Sequence, residues 1–249
     1  MRPEKLPLTA RLRSNLLLAP PFLLSTAFFG TAALAASTFD KSGKLQHHIA
    51  RRWARASVFF SASPLKIIGL ENIPPETAVF AANHTSYMDT PVVFASLPFQ
   101  FRILAKIELW KLPFIGWYLD RSGQLPIDTA NPRSTVSSLG AAVKTLRNGL
   151  NVFVFPEGGR TPDGQLQPFL NGAAYLAIRA QVPLVPIALV GVHQLLPMHT
   201  KHFQPAPRHA PLKLVIGQPI PTTNMNLRQS EALTEQLKQS IQSLIDTHS

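Results

Sequence analysis

A histidine and an aspartate five positions apart, His84 and Asp89, have the chemistry of a general base and of the group that orients it. On one continuous helix they would lie about 140° apart, so they meet only if His84 precedes the helix and Asp89 lies in its first turn. Asp89 would then fix the imidazole tautomer, and the other ring nitrogen would take a proton from a hydroxyl that attacks an acyl thioester. The alternative is that both side chains only cap and satisfy a turn.

A second polar segment, Phe155–Thr161, ends an apolar run and has the sequence Phe-Pro-Glu-Gly-Gly-Arg-Thr. Gly158 and Gly159 permit positive φ and a close approach of the backbone to a ligand. Arg160 offers a guanidinium fork suited to phosphate, and Glu157 is expected to orient Arg160 or to bind a substrate hydroxyl. The alternative is an ordinary glycine turn with a solvated arginine. Together the two segments predict transfer of an acyl group to a phosphorylated alcohol.

The sequence also excludes several kinds of site. It contains no cysteine, which rules out disulfides, zinc–thiolate sites and cysteine nucleophiles. It has no Gly-x-Ser-x-Gly motif, so a hydrolase built on a serine elbow is not expected. No tight group of His, Asp and Glu has ligand spacing, so no metal site is expected. Acyl transfer from a thioester implies no redox or other cofactor. No helix-turn-helix, zinc-finger or aromatic RNA-binding pattern supports binding to nucleic acid.

Positive charge is concentrated near the N-terminus. The formal net charge is +11, and residues 1–56 hold nine of the 24 Lys and Arg but only two of the 13 acidic residues. Nucleic acid and anionic lipid both suit such a segment. The apolar sequence beside these charges favours lipid.

An uncharged stretch of 23 residues, Leu16–Thr38, has the length needed to cross a bilayer core. Pro20 and Pro21 predict a break or kink near the start of a helix, so a straight span, a bent helix and a half-inserted hairpin all remain open. The alternatives are a cleaved signal peptide, with Ala33–Ala35 as the cleavage pattern, and a buried core helix.

Residues 44–60 predict a basic amphipathic helix. Its apolar residues recur at roughly helical spacing, with Arg51, Arg52 and Arg55 between them. A helix of this kind suits an anionic lipid surface. The alternative is an ordinary amphipathic helix packed on the domain.

Strand and helix signals alternate from residue 64 onward, which predicts an α/β fold with a mixed, partly parallel sheet flanked by helices. Helices are expected to begin near Ser86, at Ser134 as N-cap and at Asn171, and a last helix carries the apolar residues of 233–245. The predicted division is 1–63 for membrane-anchoring helices and 64–249 for the α/β domain. The predicted strands are Leu65–Leu70, Ala78–Ala82, Phe101–Ala105, Val152–Phe155, Val185–Val190 and Leu212–Ile216.

The segments Asn83–Asp89 and Phe155–Thr161 match the motifs Asn-His-x4-Asp and Phe-Pro-Glu-Gly-x-Arg-Ser/Thr. With them the chain resembles the 1-acylglycerol-3-phosphate acyltransferase family of glycerolipid synthesis. Lys106–Gly116 is similar to that family's Lys-x-Glu-Leu…Pro-x-x-Gly segment, and Val182–Ala188 is similar to its Val-Pro-x-Val-Pro strand. The resemblance covers about residues 64–220, in the family's order.

The resemblance implies that His84 is the general base and Asp89 its partner. It also implies the family's fold and its membrane-bound N-terminal helices. The residues that it places in the phosphate-acceptor site are Glu157, Gly158, Gly159, Arg160 and Lys106.

Two cations of the family pattern are missing from this chain. Gly123–Thr129 lacks the Phe and the terminal Arg of the family's Gly-x-x-Phe-Ile-x-Arg block, and Pro168–Gly172 lacks the lysine that commonly follows Pro-Phe. These departures leave open an acceptor other than lysophosphatidate. Arg121 and Arg133 are candidates to replace the missing charge.

The sequence and the resemblance together predict a membrane-bound O-acyltransferase. It would transfer a fatty acyl group from acyl-CoA or acyl-carrier protein to the free hydroxyl of lysophosphatidate, giving phosphatidate in phospholipid biosynthesis. The expected partners are that donor, a lysophospholipid acceptor and membrane lipid, with no nucleic acid. The expected location is the inner (cytoplasmic) membrane, with the active site facing the cytoplasm. An acyltransferase for another lysolipid and a non-catalytic membrane-binding homologue are the alternatives.

Overall fold

A mixed β-sheet is the centre of the fold in the computed structural model, which describes residues 6–128, 130–198 and 200–249. Among these residues the strand order is β1-β7-β6-β2-β5-β3-β4. The strands are β1 Leu65–Ile68, β2 Val79–Ala82, β3 Phe101–Lys106, β4 Leu125–Ile127, β5 Asn151–Val154, β6 Leu184–Val190 and β7 Leu212–Ile216.

Most neighbouring strands run parallel, which brings the ends of three central strands to one edge. β2 pairs in parallel with β5 and β6, and β5 pairs in parallel with β3. β7 runs antiparallel to β6, so the prediction of a mixed, partly parallel sheet is confirmed. His84 follows β2, the Phe155–Thr161 segment follows β5, and Lys106 ends β3. Polar groups at the carboxyl ends of adjacent parallel strands meet in a crevice, the usual ligand site of open α/β sheets.

Helices cover both faces of the sheet. Phe80 and Phe153 of the sheet share one apolar core with Ala54 of α3 and Val92 of α4. On the other face, residues of β2 and β5 pack against α6, α7 and α9. The helices are α1 Leu8–Arg13, α2 Ala19–Ala36, α3 Lys44–Phe60, α4 Asp89–Ser96, α5 Ile115–Arg121, α6 Pro132–Arg147, α7 Gly172–Ala180, α8 Val192–Leu195 and α9 Ser230–His248.

The predicted strands match the observed ones to within two residues at each end, and β4 was not predicted. β4 is three residues long and contains Pro126 at its centre. It pairs only with β3 and so forms an edge of the sheet. An edge strand tolerates a proline because one side needs no ladder donor.

The predicted helix starts need two corrections. α6 is capped by Asn131 and not by Ser134, because the Asn131 carboxamide oxygen accepts from the backbone N–H groups of Arg133 and Ser134. α4 begins at Asp89, and the Ser86 hydroxyl donates to the Leu196 carbonyl at 2.9 Å and does not cap that helix.

The N-terminal helix continues through Pro20 and Pro21, contrary to the predicted break. A π-helical turn over Ser14–Leu18 precedes α2, and both prolines lie in the first turn of α2. A proline ring collides with the carbonyl four residues earlier in a regular α-helix, and for these prolines that carbonyl lies in the widened turn. The wider turn therefore gives both proline rings room, and the helix continues through them.

The stretch Leu8–Ala36 is, among the described residues, the one helix long and apolar enough to cross a membrane. Its 29 residues include a window of mean hydropathy 1.6, of which only 11% is buried. That small share contradicts the alternative of a buried core helix. The helix is nevertheless tied to the rest of the chain, because the Ser14 hydroxyl accepts from the Phe203 N–H at 2.8 Å.

α3 has the predicted amphipathic form and packs on the domain. It contacts α2 along one side and α4 along another. Ala50, Ala54 and Val58 are buried in the core that it shares with the sheet, while Arg52 and Arg55 are exposed. The apolar side of α3 therefore fits the alternative of an ordinary amphipathic helix packed on the domain.

The glycine of the Pro-x-x-Gly segment is required by close packing. A Cβ on Gly116 would lie 2.1 Å from the Trp110 carbonyl oxygen. We expect Gly116→Ala to push this backbone apart and to lower the free energy of unfolding by about 1–3 kcal/mol. Denaturant unfolding measures the change.

A matched control is Gly140→Ala in the exposed face of α6, where a Cβ meets no atom within 4 Å. Removing a glycine from a helix interior should stabilise the protein by about 0.5–1 kcal/mol. If Gly116→Ala and Gly140→Ala changed the free energy of unfolding equally, the result would contradict the close contact at Gly116.

Candidate active site

The turn between β2 and α4 brings His84 and Asp89 together in the way that the spacing predicted. His84 lies before the helix, Asp89 is its first residue, and His84 Nδ1 is 2.8 Å from Asp89 Oδ2. The same carboxylate oxygen accepts from the backbone N–H groups of Thr85 and Ser86, at 2.5 and 2.7 Å. Asp89 is completely buried, at 0% exposure. These donors, with the positive end of α4, compensate the charge of the buried carboxylate.

Asp89 determines which nitrogen of the His84 ring carries the proton. An ionised carboxylate only accepts hydrogen bonds, so Nδ1 must donate to it and Nε2 is left with a lone pair. Nε2 makes no hydrogen bond within the described part of the chain, and the ring lines a cavity with 16% of its side chain exposed. The free nitrogen can therefore accept a proton from a bound hydroxyl.

Contacts from the loop after β5 hold His84 in place. The His84 N–H donates to Glu157 Oε1 at 2.6 Å, and the His84 carbonyl accepts from the Thr161 N–H at 2.9 Å. The Phe155 ring stacks on the imidazole with the centroids 3.9 Å apart and the planes 15° from parallel. The imidazole therefore has a carboxylate at one edge and an aromatic face beneath it.

The end of β2 is fixed to β6 by Asn83. Its side-chain amide donates to the Leu189 carbonyl at 3.0 Å and accepts from the Leu189 N–H at 2.7 Å. Asn83 thus extends the hydrogen bonding between β2 and β6 by one residue, at the point where the turn that carries His84 leaves the sheet. The sequence does not indicate this role of Asn83, because its partner lies 106 residues further along the chain.

Glu157 is placed differently from the prediction that it orients Arg160. Its two carboxylate oxygens accept from the backbone N–H groups of His84 and Gln167. Its side chain does not contribute to the cavity wall. Burial raises the pKa of Glu157 to about 7, and the N–H groups of Gln167 and His84 lower it in part. Glu157 therefore joins the two loops of the site, and we expect it to position residues that contact the substrate.

Arg160 lies on an aromatic ring. Its guanidinium carbon is 4.0 Å from the centroid of the Tyr87 ring, within the range of a cation–π contact. Arg160 Nε is buried without a hydrogen-bond partner among the described residues. This stacking was not anticipated, although Tyr87 belongs to the segment that carries His84 and Asp89. Stacking leaves the N–H edge of the guanidinium available to an anion.

The glycine loop lies beside a second cation. Gly158 has a φ of +68°, and a Cβ on Gly159 would be 3.7 Å from Lys106 Nζ, an ordinary van der Waals distance. Lys106, Gly159 and Arg160 all line the same cavity as His84. Of the two glycines, only Gly158 uses the positive φ that was predicted for both.

The cavity has a volume of about 690 Å³ and is lined by both polar and apolar residues. Its polar lining includes His84, Lys106 and Arg160, so an anionic group and a hydroxyl can be held in the same cavity. The cavity is large enough for part of an acyl chain. The apolar lining includes Leu104, Ile127, Leu139, Val154, Leu170 and Ala173.

The missing cations of the sequence pattern are not replaced by the candidates suggested above. Leu170, where the family commonly has lysine, contributes an apolar side chain to the cavity wall. Thr129, at the position of the missing arginine, lies outside the described residues. Arg121 and Arg133 are exposed, and neither lines the cavity within the described part of the chain. Across those same residues there is also no group of three or more His, Asp or Glu arranged to hold a metal ion.

Comparison with known proteins gives one consistent result. Residues 64–190 match the family model Acyltransferase. The chain is 33% identical over 198 residues to a chloroplastic 1-acyl-sn-glycerol-3-phosphate acyltransferase of Brassica napus, covering 78% of this chain and 56% of that protein. It is 32% identical over 186 residues to a 1-acyl-sn-glycerol-3-phosphate acyltransferase of Bacillus subtilis, covering 72% of this chain and 87% of that protein.

The fold is also similar to a solved structure. The crystal structure of the 1-acyl-sn-glycerophosphate acyltransferase PlsC from Thermotoga maritima superposes with a TM-score of 0.78 at 25% identity, over 95% of this chain and 97% of that one. The chain spans little more than half the length of the plant relatives, 56% for Brassica napus and 52% for Arabidopsis thaliana.

Glu157→Gln tests the link between the two loops. The amide can accept from only one of the two backbone N–H groups, so we expect the free energy of unfolding to fall by about 1–2 kcal/mol. Because burial raises its pKa, the folded protein favours the protonated form of the Glu157 carboxyl. The contribution of this group to the free energy of unfolding is therefore complete below its ordinary pKa of 4.5 and is lost as the pH rises through about 7.

The Tm of wild type minus the Tm of Glu157→Gln should therefore fall, to zero or below, between about pH 5 and about pH 8. Thermal unfolding in detergent at both pH values measures this difference. All other groups are common to the two proteins, so a difference that stays constant or rises with pH would contradict the buried position of this carboxyl.

Proposed function

The chain belongs to the 1-acylglycerol-3-phosphate acyltransferase family, and from this premise we propose that it transfers a fatty acyl group from a thioester to the free hydroxyl of lysophosphatidate. The observation that carries the proposal is the position of His84, whose Nε2 faces a cavity that Arg160 and Lys106 also line. A base, a pair of cations and an apolar wall correspond to the hydroxyl, the phosphate and the chain of such an acceptor.

The reaction needs no nucleophile from the protein. His84 Nε2 removes the proton of the acceptor hydroxyl as its oxygen attacks the thioester carbonyl, and the hydrogen bond to Asp89 stabilises the imidazolium that forms. The tetrahedral intermediate then collapses as the carbon–sulfur bond breaks. The imidazolium returns its proton to the thiolate that leaves. The products are an ester and a free thiol, with atoms and charge in balance.

Arg160 and Lys106 are assigned to the phosphate of the acceptor. A guanidinium fork binds two phosphate oxygens at once, and the ammonium of Lys106 adds a compact positive charge beside Gly159. The donor is assigned as acyl-CoA or acyl-carrier protein, whose thiol end must reach His84. The apolar wall of the cavity is assigned to a fatty acyl chain.

Another lysolipid is the second candidate acceptor, and Leu170 is the observation that favours it. An apolar side chain lines the cavity where the family commonly has a lysine, so the acceptor site has less positive charge. The non-catalytic alternative is less favoured, because the contacts of His84 with Asp89 and Glu157 are complete.

The enzyme is proposed to act at the inner membrane with its site facing the cytoplasm. The stretch Leu8–Ala36 exposes most of its apolar surface, and Trp53 of α3 donates to the Thr26 hydroxyl at 3.0 Å, which links the two helices. One face of the helix thus packs on the protein and the other is available to lipid. The basic residues Arg52 and Arg55 on the exposed side of α3 suit anionic headgroups.

His84→Ala should abolish acyl transfer while the protein remains folded. Asp89→Asn should lower kcat by about a hundredfold or more, because an amide can stabilise the wrong imidazole tautomer. The measurement is transfer from a labelled acyl thioester to a panel of lysolipids, with circular dichroism as the check of folding.

Product from lysophosphatidate that depends on His84 would support the leading assignment. Product from a different lysolipid alone would change the acceptor but keep the mechanism. An active His84→Ala protein would refute the mechanism, whichever acceptor is used.

Tyr87→Leu tests whether the ring positions Arg160. Losing the cation–π contact should raise the acceptor KM about three- to tenfold and leave kcat and the donor KM nearly unchanged. Tyr87→Phe keeps the ring face and should behave like wild type. If Tyr87→Phe and Tyr87→Leu raised the acceptor KM equally, the phenolic hydroxyl and not the ring face would be responsible.

A further inference from the structure

A loop of exposed apolar side chains lies beside the cavity. It runs from Leu109 to Trp117, is called the 109–117 loop below, and contains a single charged residue, Lys111. Phe114 is 66% exposed and Trp117 is 50% exposed. Their rings lie against each other with the centroids 5.1 Å apart. A contiguous apolar patch on a protein surface marks an interaction site more often than chance exposure.

The tip of the 109–117 loop is held in an unfavourable conformation. The Ile115 N–H donates to the Pro113 carbonyl at 2.7 Å, two residues earlier. Between them Phe114 has φ +62° and ψ −50°, close to a γ-turn that is rare for a residue with a Cβ. Gly116 secures the next turn by donating to the Leu112 carbonyl at 2.8 Å. The fold therefore keeps a phenylalanine exposed at a conformational cost.

The 109–117 loop connects two other apolar surfaces. α5, which begins at Ile115, packs on α2, and α2 exposes Leu23, Leu24 and Phe28 to the outside. At the other end of the loop, Leu109 lines the cavity together with His84. The 109–117 loop therefore links the helix that packs on α2 to the wall of the cavity.

We propose that the 109–117 loop inserts into the lipid surface that the N-terminal helix contacts and forms the entrance by which a lipid acceptor reaches His84. The identity of the acceptor rests on the proposed function. Aromatic rings with a lysine beside them suit the boundary between headgroups and acyl chains. A docked protein would be expected to meet a polar rim as well as an apolar centre, and this loop offers one charge.

Quenching by lipids with brominated acyl chains tests the contact directly. The chain has three tryptophans, Trp53, Trp110 and Trp117. Trp53→Phe with Trp110→Phe leaves Trp117 as the only tryptophan. We expect anionic brominated vesicles to quench it strongly, and vesicles without bromine to leave its intensity almost unchanged. Unquenched Trp117 in protein that sediments with the vesicles would overturn the proposal, and so would a failure to bind the vesicles.

The role as an entrance is tested with Phe114→Ser combined with Trp117→Ser. Neither residue lines the cavity or contacts His84, so chemistry on a short-chain acceptor dissolved in water should change by less than about twofold. With long-chain lysophosphatidate in vesicles, we expect the apparent KM to rise about tenfold. The control, Leu227→Ser, removes an exposed apolar side chain from the turn before α9. It should change neither the activity on the short-chain acceptor nor the apparent KM for long-chain lysophosphatidate.

Equal losses on the two acceptors, or no loss on either, would overturn the proposal. A dimer that the double variant converts to a monomer would overturn it too, because the loop would then belong to an interface between copies of the chain. If the wild type acylates neither acceptor, the proposed function fails, whereas the quenching experiment still decides whether the loop contacts lipid.

Discussion

The burial of the Asp89 carboxylate is the constraint on which the turn between β2 and α4 depends. A charge without exposure to water is tolerated only if donors surround it, and here they are the Thr85 and Ser86 N–H groups and the His84 ring. The two backbone donors are available only if the chain turns sharply between β2 and α4. The interaction at the start of the helix therefore also orients the His84 ring, which is the group we propose as the base.

The parallel order of the sheet supplies the rest of the site. β3, β5 and β2 are adjacent and point the same way, so segments far apart in sequence end at one edge. Glu157 then joins two of these segments through backbone N–H groups, and Phe155 supports the imidazole from below. Because the loops hold each other, displacing either one should move the base relative to the cations.

Much of this arrangement could be predicted from local patterns. The strand ends just before Asn83 and Phe155, the spacing of His84 and Asp89, and the alternation of strands and helices all depend on neighbouring residues. Features set by distant partners could not be read in the same way. The sequence predicts that Glu157 orients Arg160 or binds a substrate hydroxyl. Its carboxylate instead accepts from the N–H groups of His84 and Gln167, which only the return of the loop brings near.

Other differences arise from local physics that the patterns do not contain. The N-cap of α6 is Asn131 because its side chain reaches two N–H groups, and Ser134, although a suitable residue type, lies inside the helix. Pro20 and Pro21 fail to break their helix because a π-helical turn comes just before them. The 109–117 loop contains a family motif, but the sequence pattern indicates neither the γ-turn at Phe114 nor the exposure of the apolar side chains around it.

The central claim is that Asp89 holds His84 with the proton on Nδ1 and a free lone pair on Nε2. Nitrogen NMR of protein labelled at the histidine rings tests it most directly, and His84→Ala identifies the His84 signals among the eight histidines. The account predicts that neutral His84 has a protonated Nδ1 and an unprotonated Nε2, and that Asp89→Asn disturbs this preference. A neutral ring with its proton mainly on Nε2 would contradict it.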